Sequence, residues 1–276
     1  MNPHLIRSGS PVTMVRSVVA QRRLIYQLAQ RDVSGRYRGS MGGIAWSLIT
    51  PLLMLGVYTF VFSVVFKARW GIDTDEQKGM FAVIIFVGIL VHGVFAECIN
   101  KSPTLLLSHA NYVKRVVFPL ELLPVVVLLS ALFHLAVSCV VLLATLLFVQ
   151  GGIPLTALLF PIILLPLLLV ILGLTWLLSA LGVYVRDIGQ FTAILTTVLM
   201  FMAPIFYPIT ALPEHVRPWL YLNPLSFIIE QSRMVLLWGG TPNWIGLIQY
   251  LIVGIVVASG GFWTFQKMRR GFADVL

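Results

Sequence analysis

The sequence predicts an all-α membrane protein: six transmembrane helices, an N-terminal amphipathic interface helix and short re-entrant helices before the last span. Three observations carry this. Of 276 residues, 59% are hydrophobic and only 11% are charged, against roughly 25% charge in an ordinary soluble chain. Charge-free runs as long as the roughly 20 residues needed to cross a bilayer recur along the chain. Once those runs alternate across a membrane, most of the basic residues fall on one side of it.

Residues 1–38 form a cytoplasmic N-terminal segment. From residue 15 onwards it interleaves Arg16, Arg22, Arg23, Arg31, Arg36 and Arg38 with Val18, Ile25, Tyr26, Leu28 and Ala29. That pattern fits a helix lying in the headgroup plane, or a positive-inside signal with no further role. The first long apolar run begins near Gly39 behind seven arginines and without a small-residue cleavage site, so the N-terminus is expected to be retained. Gly35, Gly39 and Gly43 stand at four-residue spacing and predict a close helix contact near the inner face.

The six-span domain covers 39–266, beginning with span one at 44–66 and span two at 79–96. The 64 residues 122–185 contain no Asp, Glu, Lys or Arg. Turn residues at 150–154 divide them into spans 122–149 and 158–183. Span five is placed at 188–208, with Pro204 and Pro208 near its far end, and span six at 244–266. Residues 209–240 mix Pro213, Glu214, Arg217, Pro224, Glu230 and Arg233 with Trp219, Tyr221, Phe227 and Trp238. This composition suits an external re-entrant segment or an ordinary amphipathic loop.

With the N-terminus inside, the inner segments hold 14 Lys and Arg and the outer segments 5, while acidic residues divide 5 and 5. Both termini are therefore expected to be cytoplasmic, the second in a tail at 267–276. The net charge of +9 then faces anionic headgroups, so membrane lipid and not nucleic acid is the expected polyanionic partner.

Several chemistries are excluded. Cys98 and Cys139 are too few for a disulfide scaffold or a thiolate metal site. There is no GxxxxGK[ST] loop to cradle nucleotide phosphates, and no intramembrane charge of the kind ion-coupled carriers use. His92 and His134 stand isolated in apolar sequence and read as packed or interfacial residues. No cofactor is expected in this chain, and any energy must come from another.

Three features are candidates for function. The cytoplasmic loop 97–119 carries Lys101, Asn111, Tyr112, Lys114 and Arg115, with Pro103 placed to begin a short helix. It suits docking on a soluble partner or is simply a surface loop. Tyr58, Phe62 and Phe66 share one helical face of span one, with Trp46 before them and Phe201 and Phe206 on span five. Such aromatics face lipid, pack the core, or line a path on which sugars stack. The third feature is the arginine-rich stretch that closes the N-terminal segment.

The stretch Arg31-Asp32-Val33-Ser34-Gly35-Arg36-Tyr37-Arg38-Gly39-Ser40, followed by Trp46-Ser47 and Pro51-Leu52, resembles the opening of polysaccharide-exporting ABC-2 permeases. The resemblance continues through 57–63, 65–69, Tyr184-Val185-Arg186-Asp187-Ile188, Pro204-Ile205-Phe206-Tyr207-Pro208, Leu222-Asn223-Pro224 and the terminal 271–276. It covers essentially the whole chain in order, and is closest to the O-antigen branch, with capsule and teichoic-acid exporters as relatives. It implies a transport subunit and not an enzyme: a homodimer in the bacterial inner membrane, joined to two copies of a cytoplasmic P-loop ATPase that bind ATP and Mg. Its cargo is a polysaccharide on undecaprenyl diphosphate. By the same resemblance Arg31, Asp32, Arg36, Tyr37 and Arg38 border the cytoplasmic entrance. Trp46, Tyr58, Phe62, Phe66, Phe201 and Phe206 line the channel, and Lys101, Asn111, Tyr112, Lys114 and Arg115 couple to the ATPase. A membrane-embedded polyprenyl-phosphate sugar transferase and a drug- or lipid-exporting permease are the alternatives, separated by whether neighbouring genes encode a Walker A protein and sugar-polymer enzymes.

Overall fold

The computed structural model describes residues 11–61, 78–110, 112 and 118–275, and every regular element among them is helical. Five helical stretches are long and apolar enough to cross a membrane: Gly43–Val61, Met80–Lys101, Leu120–Gln150, Leu155–Tyr184 and Trp244–Gly271.

The N-terminal segment forms two helices, α1 (Pro11–Ala20) and α2 (Arg22–Tyr37). In α2, Ile25, Ala29 and Val33 are buried at four-residue spacing while Arg22, Arg23, Arg31 and Arg36 stay exposed, the single apolar stripe of an amphipathic helix. Gly39 and Gly43 take φ of 85° and 50° in the turn to α3 (Trp46–Tyr58), a backbone region in which a side chain is strained. An added Cβ at Gly35, Gly39 or Gly43 would meet nothing within 4 Å. The expected small-residue helix contact is therefore not made here within the described residues; two of these glycines serve the turn instead.

The core is built around α4 (Lys78–Lys101), whose Val83, Ile84, Ile85, Val87 and Val91 are fully buried. It packs against α5 (Leu123–Gln150) and α6 (Phe160–Tyr184). Helix α4 runs five residues past the expected end of span two, because Glu97 and Lys101 in its last turn find ionic partners on α2. Gly151 closes α5 with φ 70°, the left-handed cap the turn signal anticipates.

Helix α7 (Ile188–Met202) has only 15 residues, or roughly 22 Å at 1.5 Å per residue, short of the roughly 30 Å hydrocarbon core. Span five as read to residue 208 is thus not a continuous helix. Ala203 turns extended, ψ 151°, as steric conflict with the following Pro204 demands. Beyond the break lie a 3₁₀ turn at Ile209–Ala211, α8 (Arg217–Leu220) and α9 (Ser226–Leu236). Last come α10 (Trp244–Met268), capped by the Asn243 side chain accepting from Gly246 N at 3.0 Å, and α11 (Phe272–Val275).

Helices α6 and α10 pack backbone to backbone. A Cβ on Gly261 would lie 2.0 Å from the Gly173 carbonyl oxygen, and one on Gly254 2.7 Å from that of Pro166. Without a hydrophobic drive between lipid-bathed helices, this close approach is what holds such a pair.

Candidate functional site

At the end of the bundle that carries α2, three helices are tied by charge. Lys101 of α4 donates to both carboxylate oxygens of Asp32 on α2, at 2.7 and 2.9 Å. Arg36, one turn on, pairs with Glu97 of α4 at 2.8 Å, and His134 of α5 meets the same carboxylate through Nδ1 at 2.9 Å. The Tyr37 ring stands edge-on to His134, centroids 6.1 Å apart. Burial pushes the Asp32 carboxyl up, but the hydrogen bonds and charge of Lys101, with Arg36 beside it, hold it below the usual carboxylate range. The network stitches α2 to the bundle by polar contacts whose cost of burial is met by pairing.

Several cavities open around it, two of them lined by arginines of 31–38. One, about 630 Å³, is lined by Arg31, Asp32, Arg36, Lys101, His109 and Tyr112. The other, about 580 Å³, is lined by Arg31, Arg38, Tyr37 and Ile44. Each of the five predicted entrance residues lines at least one of these cavities, and Lys101, placed with the coupling loop by the sequence, lines the first. Tyr112 stacks between His109 and Phe118, at 5.6 and 4.8 Å. Asn111, Lys114 and Arg115 lie outside the described residues. No α-helix starts at Pro103: the chain turns through 102–106 into a 3₁₀ helix, Leu107–His109. The Pro103 backbone is pressed on α6, where a Cβ at Gly182 would lie 2.1 Å from the Pro103 carbonyl oxygen. A second tie joins the end of this loop to the tail: Arg269 donates to Phe118 O at 3.3 Å and to the buried carboxylate of Glu121, just past the loop, at 2.8 Å, and the Glu121 carbonyl accepts from Trp176 Nε1 at 3.0 Å.

At the opposite end, the break after Met202 leaves helix-end carbonyls in an apolar setting, where each must find a donor. Ala203 N meets Leu199 O at 2.9 Å, and side chains add further donors. Asn223 Nδ2 donates to Leu199 O at 2.8 Å, and the Tyr207 hydroxyl to Phe201 O at 3.0 Å. The fully buried Arg233 reaches Pro204 O at 2.6 Å, Ile205 O at 3.0 Å and, on α4, Ile84 O at 3.1 Å. It also pairs with Glu230 of its own helix, at 3.2 Å. Gly88 makes room, since a Cβ there would stand 3.2 Å from Ile205 and 3.3 Å from the guanidinium.

Of the six predicted path residues, Phe201 and Phe206 are brought together, centroids 5.8 Å apart. Trp46 is exposed at the start of α3 and Tyr58 half-buried at its end; Phe62 and Phe66 lie outside the described residues. Sequence reasoning missed Glu97, His134, Asn223 and Arg233 as working side chains. The signal for Asn223 was present in the Leu222-Asn223-Pro224 motif, but nothing local pairs it with α7, 24 residues away.

Among the described residues no group of three His, Cys, Asp or Glu converges as a metal site. The sequence pattern described as ABC-2 type transporter matches residues 23–237. Among curated proteins, the O-antigen export system permease protein RfbA of Myxococcus xanthus is 27% identical over 266 residues, 95% of this chain and 99% of that protein. The protein of the same name from Klebsiella pneumoniae is 26% identical over 256 residues, 92% of this chain and 95% of the relative.

Proposed function

The chain belongs to the ABC-2 type transporter family, and on that premise we propose that it is the membrane permease of an ATP-driven exporter. Its cargo in this reading is a polysaccharide linked to undecaprenyl diphosphate, most specifically O-antigen. The observation that carries the reading is similarity over nearly the full length of two O-antigen export permeases. The permease works as a homodimer in the inner membrane with both termini cytoplasmic, and α7 with its broken extension counts as the fifth of six crossings. The segment around α8 and α9 re-enters from the outside.

The chain's chemistry supports this division of labour. It has no phosphate-binding loop in its sequence, so nucleotide and Mg belong to two copies of a cytoplasmic ATPase seated on the loop 97–119. The arginine-lined cavities at Arg31, Arg36 and Arg38 sit where an anionic lipid diphosphate enters, and charge-assisted contacts suit such a headgroup. A sliding polymer needs many weak contacts in place of one tight site. Aromatic faces along α3 and α7 give those without selecting a hydroxyl pattern.

The test is a paired substitution, Tyr58→Leu with Phe62→Leu, in cells that assemble the polymer. Surface polysaccharide should fall while permease level and dimer formation stay unchanged. Full export by this variant, or labelling of cysteines at 58 and 62 only from the lipid phase, places these rings outside the path.

A further inference from the structure

We propose that Asn223 and Arg233 are positioning residues for an outer gate. From the re-entrant segment they grip the end of α7 and so fix where the Phe201–Phe206 pair stands at the mouth of the path. The inference rests on the reading of α7 as path-lining and goes beyond it in naming what holds that helix end.

A helix that stops inside an apolar bundle has its last carbonyls unsatisfied by its own ladder. An amphipathic loop that merely follows the helix would leave water or the backbone to meet them. Here, besides the backbone bond that Ala203 N makes to Leu199 O at 2.9 Å, donors to Leu199 O and to the Pro204 and Ile205 carbonyls just past the helix end come from elsewhere in the sequence, and from two different points of one segment. Asn223, 4% exposed, donates to Leu199 O, while its own Oδ1 accepts from Leu225 N at 3.0 Å. Its amide is thereby oriented by the turn that starts α9. Arg233 is 0% exposed and spans three chain segments: its own helix through Glu230, the break through Pro204 O and Ile205 O, and α4 through Ile84 O. The planar fork of a guanidinium serves several carbonyls at fixed angles, which a lysine ammonium cannot reproduce.

The consequence is mechanical. Ile205 is wholly buried against this grip, whereas Phe201 is 59% exposed and Phe206 half-buried. The backbone between the two rings is held and the rings themselves are presented. Any widening of the mouth that moves the end of α7 must either carry α9 with it or break these hydrogen bonds. Weakening the grip therefore frees the helix end without touching a ring.

The experiment reconstitutes the complete transporter in liposomes loaded with radiolabelled sucrose and measures passive efflux without ATP. The variants are Asn223→Ala and Arg233→Lys. The control is Ser232→Ala, equally buried on the same helix, whose hydroxyl serves only Ile228 O of its own helix among described contacts. Removing one hydrogen bond that holds the mouth should raise the open fraction, and hence leak, by roughly fivefold in Asn223→Ala. Arg233→Lys should leak more, and Ser232→Ala should match the parent. The same samples are scanned for thermal unfolding, and leak that rises only in step with a midpoint lowered below that of Ser232→Ala reports general loosening and overturns the grip. Asn223→Ala keeps the test alive if Arg233→Lys fails to assemble. Phe201→Cys, probed with a membrane-impermeant maleimide, separates the grip from the path-lining reading. Labelling from water with unchanged leak in folded variants overturns the gate grip alone. Labelling only by lipid-phase reagents overturns the path-lining reading and the grip together.

Discussion

Replacing Gly261 by alanine should destabilise the bundle, while the same change at the neighbouring Gly260 should not. The two residues sit side by side in α10, but a Cβ at Gly260 meets nothing within 4 Å, and one at Gly261 lies 2.0 Å from Gly173 O and 2.9 Å from its Cα. Backbone atoms cannot rotate away as a side chain would, so α6 and α10 must part by about 1 Å to restore ordinary contact. Overpacking of this kind costs about 1–3 kcal/mol. A gap of that size also forfeits a quarter to a half of each local dispersion contact along the pair. At Gly260, alanine gains roughly 0.5–1 kcal/mol from the lower backbone entropy of the unfolded chain. The two variants should then differ by about 2–4 kcal/mol, an apparent unfolding midpoint roughly 5–15 °C lower for Gly261→Ala. The buried thiol of Cys98 offers the assay, since a thiol-reactive fluorophore lights up as the core opens. Equal midpoints for the two variants would refute backbone contact as the bond between these helices.

Replacing Tyr112 and Lys114 together should uncouple ATP hydrolysis from export, because losing central aromatic and basic anchors typically costs ~1–4 kcal/mol at an interface; normal export with unchanged ATPase binding would remove the docking assignment. Gly182→Ala should lower coupled ATPase activity more than Gly189→Ala, since the added methyl meets Pro103 O at 2.1 Å in the first and only the Pro103 side chain at 3.9 Å in the second; equal effects would mean the loop is not seated on α6. The Asp32–Lys101 pair is about a third exposed on each side, 30% and 34%, so Asp32→Asn at pH 7 should cost no more than about 1 kcal/mol. Because the folded carboxyl titrates below its unfolded value, the pair's contribution is complete above the ordinary carboxylate range and is lost as pH falls through the lowered one. Thermal scans should therefore show no Asp32-dependent change from pH 5 to 8, and one that appears there would contradict the pairing.

Apolar runs made the spans legible because the bilayer imposes a length that composition must satisfy. Thus α5, α6 and α10 begin and end within two residues of the predicted 122–149, 158–183 and 244–266. Charge misled at the end of span two: Glu97 reads as an exit to water, yet Arg36 and His134 close round it and the helix continues. The opposite error occurred in span five, where the absence of charge extended the run to 208 and backbone sterics at Pro204 ended the helix at Met202. Spacing also picked the wrong glycines. Gly35, Gly39 and Gly43 have the periodic look of a contact face, whereas the glycines that touch backbone are Gly173, Gly182, Gly254 and Gly261. All four meet a partner more than 70 residues away in the chain, information that no local pattern holds.

Arg233 shows why the site was only half visible. Read in sequence, it is one charge in a mixed segment, as suited to an interfacial loop as to anything else. Its burial becomes comprehensible only once the broken end of α7 and the first turns of α4 arrive beside it, because those backbones create the carbonyls that a buried guanidinium requires. The entrance residues were legible for the converse reason. They and Lys101 belong to the basic excess that the sequence gathers at one end, so that end could be identified before any pair was known. Polar side chains in this protein thus fall into two kinds. Those at the basic end are written into composition. Those at the opposite end answer to a helix that stops short, and only the fold declares what they hold.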